Sequence, residues 1–304
     1  MNTTFHYTHC PICNSSSIAP VLSVKDYTVS AKEFSIWQCN DCSLRFTQDI
    51  PTSDVIGEYY KSENYISHTN TSKGLINRLY HVIRKRTLRN KRRMVTEITG
   101  LKQGQLLDVG SGTGTFVHEM NQNGWLVTGL EPDQGARQVA RDSFKCELKD
   151  IDALFSLPAD SFDAITLWHV LEHVHDLQRY VRQLKQLLKK EGKLIIAVPN
   201  YTSFDAFVYK ECWAAYDVPR HLYHFSPLSM QRLMKENGMR ITELKPMWFD
   251  SFYVCLLSSQ YKHTQVPGEG KTNWIGATWN GLLSNLKAIT HKDRCSSVIY
   301  IVSK

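Results

Sequence analysis

The chain has 304 residues, 42% of them apolar and 21% charged, with a formal net charge of +7. This composition excludes a disordered or fibrous chain and supplies apolar material for roughly two domains. Its apolar runs fall short of the ~20 residues that span a bilayer, and the opening MNTTFHYTHC has no signal-peptide character, so a cytoplasmic protein is expected.

Residues 1–50 carry Cys10, Cys13, Cys39 and Cys42 in a C-x2-C-x25-C-x2-C pattern. Two such knuckles present four thiolates tetrahedrally, so a structural zinc ion is expected, with rubredoxin-like iron the second choice. Cys146, Cys212, Cys255 and Cys295 are scattered singly and read as small buried residues. Residues 51–72 are irregular, with three tyrosines in EYYKSENY. Residues 73–99 predict a helix ending near Gly100. Within it, residues 78–93 hold Arg78, Arg84, Lys85, Arg86, Arg89, Lys91, Arg92 and Arg93 and no acid. Subtracting these eight charges from +7 leaves −1, so the basicity is confined to one segment. It suits a solvated face, a peripheral contact with an anionic membrane surface, nucleic acid or a phosphorylated carrier.

From about residue 104 strands alternate with helices, which predicts a parallel, doubly wound α/β sheet. QLLDVG is a strand, TGTFVHEMNQNG a helix stopped by Gly124, WLVTGLE a strand, and Pro132 opens a helix to about Asp142. FDAITLW is a strand, and Asp176 caps a helix LQRYVRQLKQLLKKEG that Gly192 stops. KLIIAVPN is a strand, SPLSMQRLMKENG a helix capped by Ser226, and SVIYIVSK a last strand. Residues 262–295 read as an insertion, suited to a lid or a dimer contact; the oligomeric state is not encoded legibly.

The segment LLDVGSGTGTF runs a strand through Asp108 into Gly110, Ser111, Gly112 and Gly114 and then a helix. Its spacing is G-x-G-x-G, not the dinucleotide G-x-G-x-x-G, and it lacks a P-loop lysine. Asp108 would repel a pyrophosphate and suits an amino group. Seventeen residues past Gly114, Glu131 at a strand tip can accept hydrogen bonds from both hydroxyls of a ribose. A phosphate-free ligand with ribose, amine and carboxylate matches S-adenosylmethionine.

These motifs make residues 104–245 resemble the class I S-adenosylmethionine-dependent methyltransferases: LLDVGSGTG the first motif, GLEPD the second, FDAITLWHVLEHVHD that of strand four. The resemblance implies a Rossmann-like, seven-stranded sheet of order 3-2-1-4-5-7-6 with the last strand antiparallel. It implies cofactor contacts at Asp108, Gly110, Ser111, Gly112, Gly114, Glu131 and Pro132, puts Asp150 and Ile151 beside the adenine, and puts Trp168 and His169 at the methionine end. WHVLEHVHD also contains H-x-x-E-H, but a zinc peptidase needs that motif on one helix, whereas here a strand runs into it and Asp176 starts a helix after it. The segment most resembles the ubiquinone-pathway O-methyltransferases, whose Glu, Glu and His there can hold a divalent metal. His169 replaces the first Glu, so Glu172 and His173 are expected as structural or site-lining residues. The cysteine module resembles that of the deoxysugar C-methyltransferases, in which arm tyrosines approach the cofactor, here Tyr65.

ECWAAYDVPRHLYHFSP would line the acceptor pocket, and its Trp213, Tyr216, Asp217, Arg220, His221 and His224 are many polar and aromatic side chains for a plain loop. His221, with His169 second, is the candidate general base. The expected organisation is a zinc module over 1–50, a linker and basic helix over 51–100, and a methyltransferase unit over 101–304 with insertions at about 201–225 and 262–295. The expected activity is methyl transfer to a small-molecule, glycan or lipid-like acceptor. An RNA methyltransferase is the alternative, weakened by the lack of an N/D-P-P-Y/F motif; a non-catalytic cofactor-binding scaffold is a third reading.

Overall fold

The computed structural model describes residues 3–60, 75–264 and 272–304, with side chains of the first long helix described from Arg86 onward. Strands β1 (Thr4–Phe5), β2 (Ile18–Lys25), β3 (Glu33–Cys39), β4 (Arg45–Thr47) and β5 (Ile50–Pro51) precede α1 (Leu75–Thr99). There follow β6 (Gln105–Val109), α2 (Thr115–Asn121), β7 (Leu126–Leu130), α3 (Gln134–Phe144), β8 (Phe162–Trp168), α4 (Leu177–Leu187) and β9 (Leu188–Pro199). The chain then runs through α5 (Phe204–Tyr209), β10 (Tyr223–His224), α6 (Pro227–Glu236), β11 (Arg240–Pro246), α7 (Asp250–Lys262), α8 (Trp274–Thr290) and β12 (Ser297–Ser303).

Among the described residues the central sheet has six strands, ordered β11-β12-β9-β8-β6-β7. β7, β6, β8 and β9 are parallel, and β12 is antiparallel to both of its neighbours. The expected third strand is absent from this sheet; only a bridge from Leu130 to Lys149 marks its place. The reason is local. Asp150 turns the chain at once, its carboxylate capping a 3-10 turn over Ile151–Ser156 by accepting from the Asp152 N–H.

Helix α4 shows how the layers form. Asp176 caps it, accepting from Arg179 N at 3.0 Å, and its buried Leu177, Tyr180, Val181, Leu184 and Leu187 recur at helical spacing while Arg179, Arg182 and Gln186 face water. Each buried leucine contributes about 1.5–3 kcal/mol by leaving water. Gly192 does not stop this helix as expected. The chain enters β9 at Leu188, where Lys189 pairs with Asp163 at 2.8 Å. Gly192 lies inside β9, where a Cβ would approach the Phe162 carbonyl to 2.9 Å. α2 likewise stops at Asn121, before Gly124.

Strands β2, β3 and β4 form a second sheet, β10-β4-β3-β2, while β1 pairs with β5 apart from it. Its outer strand, β10, comes from the loop between β9 and α6, so the cysteine module and the larger α/β unit share one sheet.

Candidate functional site

The loop after β6 is shaped by glycine. Gly110 has φ +72°, and a Cβ there would come within 2.4 Å of Val170. Gly112 has φ +52° with open space before it, so the backbone is bare toward a ligand. Gly114 begins α2, and Ser111 Oγ donates to the Asp108 carbonyl at 2.9 Å.

Asp108 is 1% exposed and accepts from Thr166 Oγ1 at 2.7 Å. Burial pushes its carboxyl up to about 6, against the pull of Thr166 and the Lys91 ammonium. Glu131 accepts from Gly112 N at 2.7 Å and from Asp133 N at 3.0 Å. Burial raises its carboxyl as well. A carboxylate has about four acceptor positions, so two remain for hydroxyl donors. Arg137 holds this tip, donating to the Pro132 carbonyl and to Asp150, each at 2.8 Å. Ile151 follows in the 3-10 turn.

At the C-terminal end of β8 the backbone turns through His169 at φ +59°. His169 Nδ1 lies 3.3 Å from Glu172 Oε1. Although burial opposes it, this contact and the Asp250 carboxylate raise the His169 pKa. Burial likewise opposes ionisation of Glu172, but His169, His221 and His173 hold its carboxyl low. His173 is pushed down to about 4 by burial and by its neighbour His221. His221 Nδ1 donates to the Ala215 carbonyl at 2.8 Å, which leaves Nε2 as the basic nitrogen, 3.9 Å from Asp217 Oδ2. The rings of His173 and His221 meet edge to face at 4.6 Å, and ligand atoms of Glu172, His173 and His221 lie within 4.8 Å of one another.

Among the described residues four buried polar side-chain atoms lack a hydrogen-bond partner: Trp168 Nε1, His169 Nε2, Glu172 Oε2 and the Tyr180 hydroxyl. Three lie at or just after the end of β8, and the fourth is close enough to Glu131 for the carboxylate to raise its pKa. Buried polar atoms without partners are uncommon in native proteins, and a polar ligand along this edge would satisfy them. A groove of about 1170 Å³ lies elsewhere, between the cysteine module and α4, with His9, Gln178 and Arg182 among its lining. It contains none of these groups.

Sequence reasoning missed Lys91. Its ammonium sits 4.2 Å from the Trp168 ring centroid and interacts with Asp108 and Asp250, while burial lowers its pKa to about 8. A signal was present: Leu88, Lys91, Val95 and Ile98 fall on one helical stripe, and its apolar members pack into the core. Tyr65 lies outside the described residues.

The loop over 213–226 corrects an expectation. Most of its polar and aromatic side chains tie the loop to α5 and to the cysteine-module sheet. Trp213 Nε1 donates to Asp205 at 2.7 Å, and the Tyr216 hydroxyl accepts from Arg45 at 2.9 Å. His224 meets Thr47 Oγ1 at 3.2 Å, and the buried Arg220 bridges Asp217 and Asp26. His221 packs against His173 beside Glu172, with Asp217 next to it.

Cys10, Cys13, Cys39 and Cys42 converge. Asn14 and Ser43, each following a knuckle, adopt left-handed φ of 57° and 59°, which folds both knuckles alike. The four sulfurs lie within 4.8 Å of one another, the closest pairs at 3.5 and 3.6 Å. A tetrahedral Zn–S bond of ~2.3 Å separates sulfurs by about 3.8 Å, so the donor set fits the ion. Cys13 is raised to about 11 by burial and its neighbouring thiols.

Residues 78–244 match the family model described as Methyltransferase domain. Ubiquinone biosynthesis O-methyltransferase of Coxiella burnetii (strain RSA 493 / Nine Mile phase I) is 28% identical over 160 residues, covering 47% of this chain and 67% of that protein. The protein of the same name in Pelagibacter ubique (strain HTCC1062) is 27% identical over 168 residues, 49% of this chain and 70% of the relative. Among solved structures, a SAM dependent methyltransferase from Archaeoglobus fulgidus is similar in fold, with a TM-score of 0.50 at 18% identity over 73% of this chain and 94% of that one. So is magnesium protoporphyrin IX methyltransferase from Synechocystis PCC 6803, solved with bound SAH, with a TM-score of 0.52 at 13% identity over 83% and 100%. With a strand–glycine–helix turn facing two acidic strand ends, and a family model spanning more than half of its length, the chain belongs to the methyltransferase domain family and is a class I S-adenosylmethionine-dependent methyltransferase resembling the ubiquinone-pathway group.

Proposed function

We propose that the enzyme methylates a small-molecule, glycan or lipid-like acceptor at the edge where β8 meets the loop carrying His221. The observation that carries this reading is the run of unpartnered buried atoms at the end of β8, Trp168 Nε1, His169 Nε2 and Glu172 Oε2, with Glu172 beside His173 and His221. Bound S-adenosylmethionine supplies an already activated methyl group. The protein's part is therefore orientation and proton removal. Asp108 holds the amino end of the cofactor, Glu131 its ribose, and the bare backbone at Ser111, Gly112 and Gly114 lets it approach closely. Asp150 and Ile151 flank the base, with Trp168 and His169 at the other end. His221 accepts the acceptor's proton at Nε2, and Asp217 steadies the imidazolium that forms. His169, paired with Glu172, is the second candidate. Residues 1–50 form the structural zinc module in this reading, 51–100 the arm, and 101–304 the methyltransferase unit.

The unpartnered Glu172 oxygen favours a second reading in which Glu172, His173 and His221 hold a divalent cation that polarises an acceptor oxygen. Activity stripped by a chelator and restored by Mg²⁺ or Mn²⁺, but not by Zn²⁺, selects it over the first.

Incubating the purified protein with methyl-labelled cofactor and three acceptor pools tests the proposal: polar metabolites, lipid-linked glycans with lipids, and total RNA. Label is expected in the first or second pool. Label confined to RNA sinks the proposal, and tight cofactor binding with no label anywhere identifies a scaffold.

A further inference from the structure

Helices α7 and α8 pack as a hairpin whose apolar order is reversed. The buried positions of α8 are small: Ala277, Gly281, Ser284 and Ala288. A Cβ on Gly281 would come within 3.1 Å of the Phe252 backbone, and Ser251 Oγ donates to the Gly281 carbonyl. The large apolar residues point outward instead. Ile275 is 86% exposed and Trp274 66%, and Trp279, Leu282, Leu286 and Ile289 continue the face. Ile275, Trp279, Leu282, Leu286 and Ile289 recur at helical spacing, so this is a stripe, not scatter. Trp248 and Phe249, also exposed, lie just before α7.

Small residues between helices with large apolar ones facing out is the pattern of helices in contact with lipid. At 17 residues, α8 is about 25 Å long, below the ~30 Å of a bilayer core. Among the described residues no helix is long and apolar enough to cross a membrane. Such a face therefore lies along a lipid surface instead of spanning it. Charge selects the kind of lipid. From Asp250 to Arg294 the described residues carry Lys262, Lys287, Lys292 and Arg294 against Asp250 and Asp293, a cationic balance. Lys91 of the basic helix interacts with Asp250 at the head of α7 and offsets its charge. Two copies of this chain meeting through the stripe would oppose like charges, whereas an anionic headgroup layer complements them. Tryptophan is enriched at such interfaces.

We propose that the exposed stripe of α8, with Trp248 and Phe249, docks the enzyme on an anionic phospholipid surface. This goes beyond the acceptor reading, because docking requires no turnover. The test is sedimentation of the full chain with vesicles of phosphatidylglycerol or of phosphatidylcholine, beside light scattering of the protein alone. Retention is expected to be about a hundredfold stronger on phosphatidylglycerol. Combining Ile275→Gln, Trp279→Gln and Leu286→Gln should weaken it about tenfold or more. Should that triple variant fail to fold, Lys287→Glu with Lys292→Glu carries the test and should reduce retention to the phosphatidylcholine level. Equal, weak retention on both vesicles overturns the proposal, as does a folded variant of either kind that binds like the wild type. A solution dimer that the triple variant dissociates, without vesicle retention, assigns the stripe to a second copy and also overturns it.

Discussion

The two ends of the proposed site are built differently. The donor end lies within one stretch of chain: Asp108, the glycine turn and Glu131 fall in 24 consecutive residues of 108–131, and local backbone geometry brings them together. The acceptor end is assembled from distant pieces. His169, Glu172 and His173 follow β8, while His221 sits on a loop anchored to the cysteine module through Arg45–Tyr216, Asp26–Arg220 and the β4–β10 pairing. A cradle made of neighbours in sequence tolerates a distant perturbation. A pocket made of remote parts depends on whatever holds those parts.

Metal removal should divide the two most sharply. A structural zinc contributes on the order of 10 kcal/mol to its module, so Cys39→Ser, or stripping with a chelator, is expected to abolish methyl transfer. Cofactor affinity measured by calorimetry should stay within about twofold. Equal loss of both would erase the distinction.

His221→Gln is the next largest. Turnover should fall by about 10²–10⁴-fold with cofactor affinity preserved.

Glu131→Ala should have the converse signature. Losing two hydrogen bonds to a charged group weakens the cofactor by about a hundredfold, while turnover at saturating cofactor changes little. A loss in turnover alone would move Glu131 out of the donor end.

The smallest effect is a pH dependence. Asp108 titrates at about 6, and a cofactor ammonium selects its ionised form, which prevails above that value. Cofactor affinity should be flat from pH 8 to 6.5 and fall toward tenfold per unit below 6. His173, at about 4, stays neutral across this range. Asp108→Asn should remove the slope.

The same contrast decides what could be read in the sequence. Strand, glycine turn and acidic strand tip are local and periodic, so the turn flanked by buried Asp108 and Glu131 was legible, as was the clustering of the four cysteines. The fold class and the capping by Asp176 and Ser226 followed from the same local rules. The loop over 213–226 misled, because a polar aromatic that pegs a loop to its own scaffold is indistinguishable in sequence from one that greets a substrate. Trp213, Tyr216 and His224 are pegs, and their partners Asp205, Arg45 and Thr47 could not be inferred from spacing. Gly192 misled for a related reason: glycine ends helices, but it also admits a crowded backbone inside a strand. Lys91 was hidden among eight cations until helical phase singled it out.

The pairing of β10 with β4 sets a limit on how this enzyme can be recombined. Exchanging residues 1–50 for another N-terminal unit would leave Tyr223 and His224 without a ladder partner and Arg220 buried without Asp26, so a new acceptor preference cannot be imported by swapping either half alone. The natural unit of inheritance for acceptor choice is the composite: a metal knuckle, its sheet and the borrowed edge strand, transplanted together.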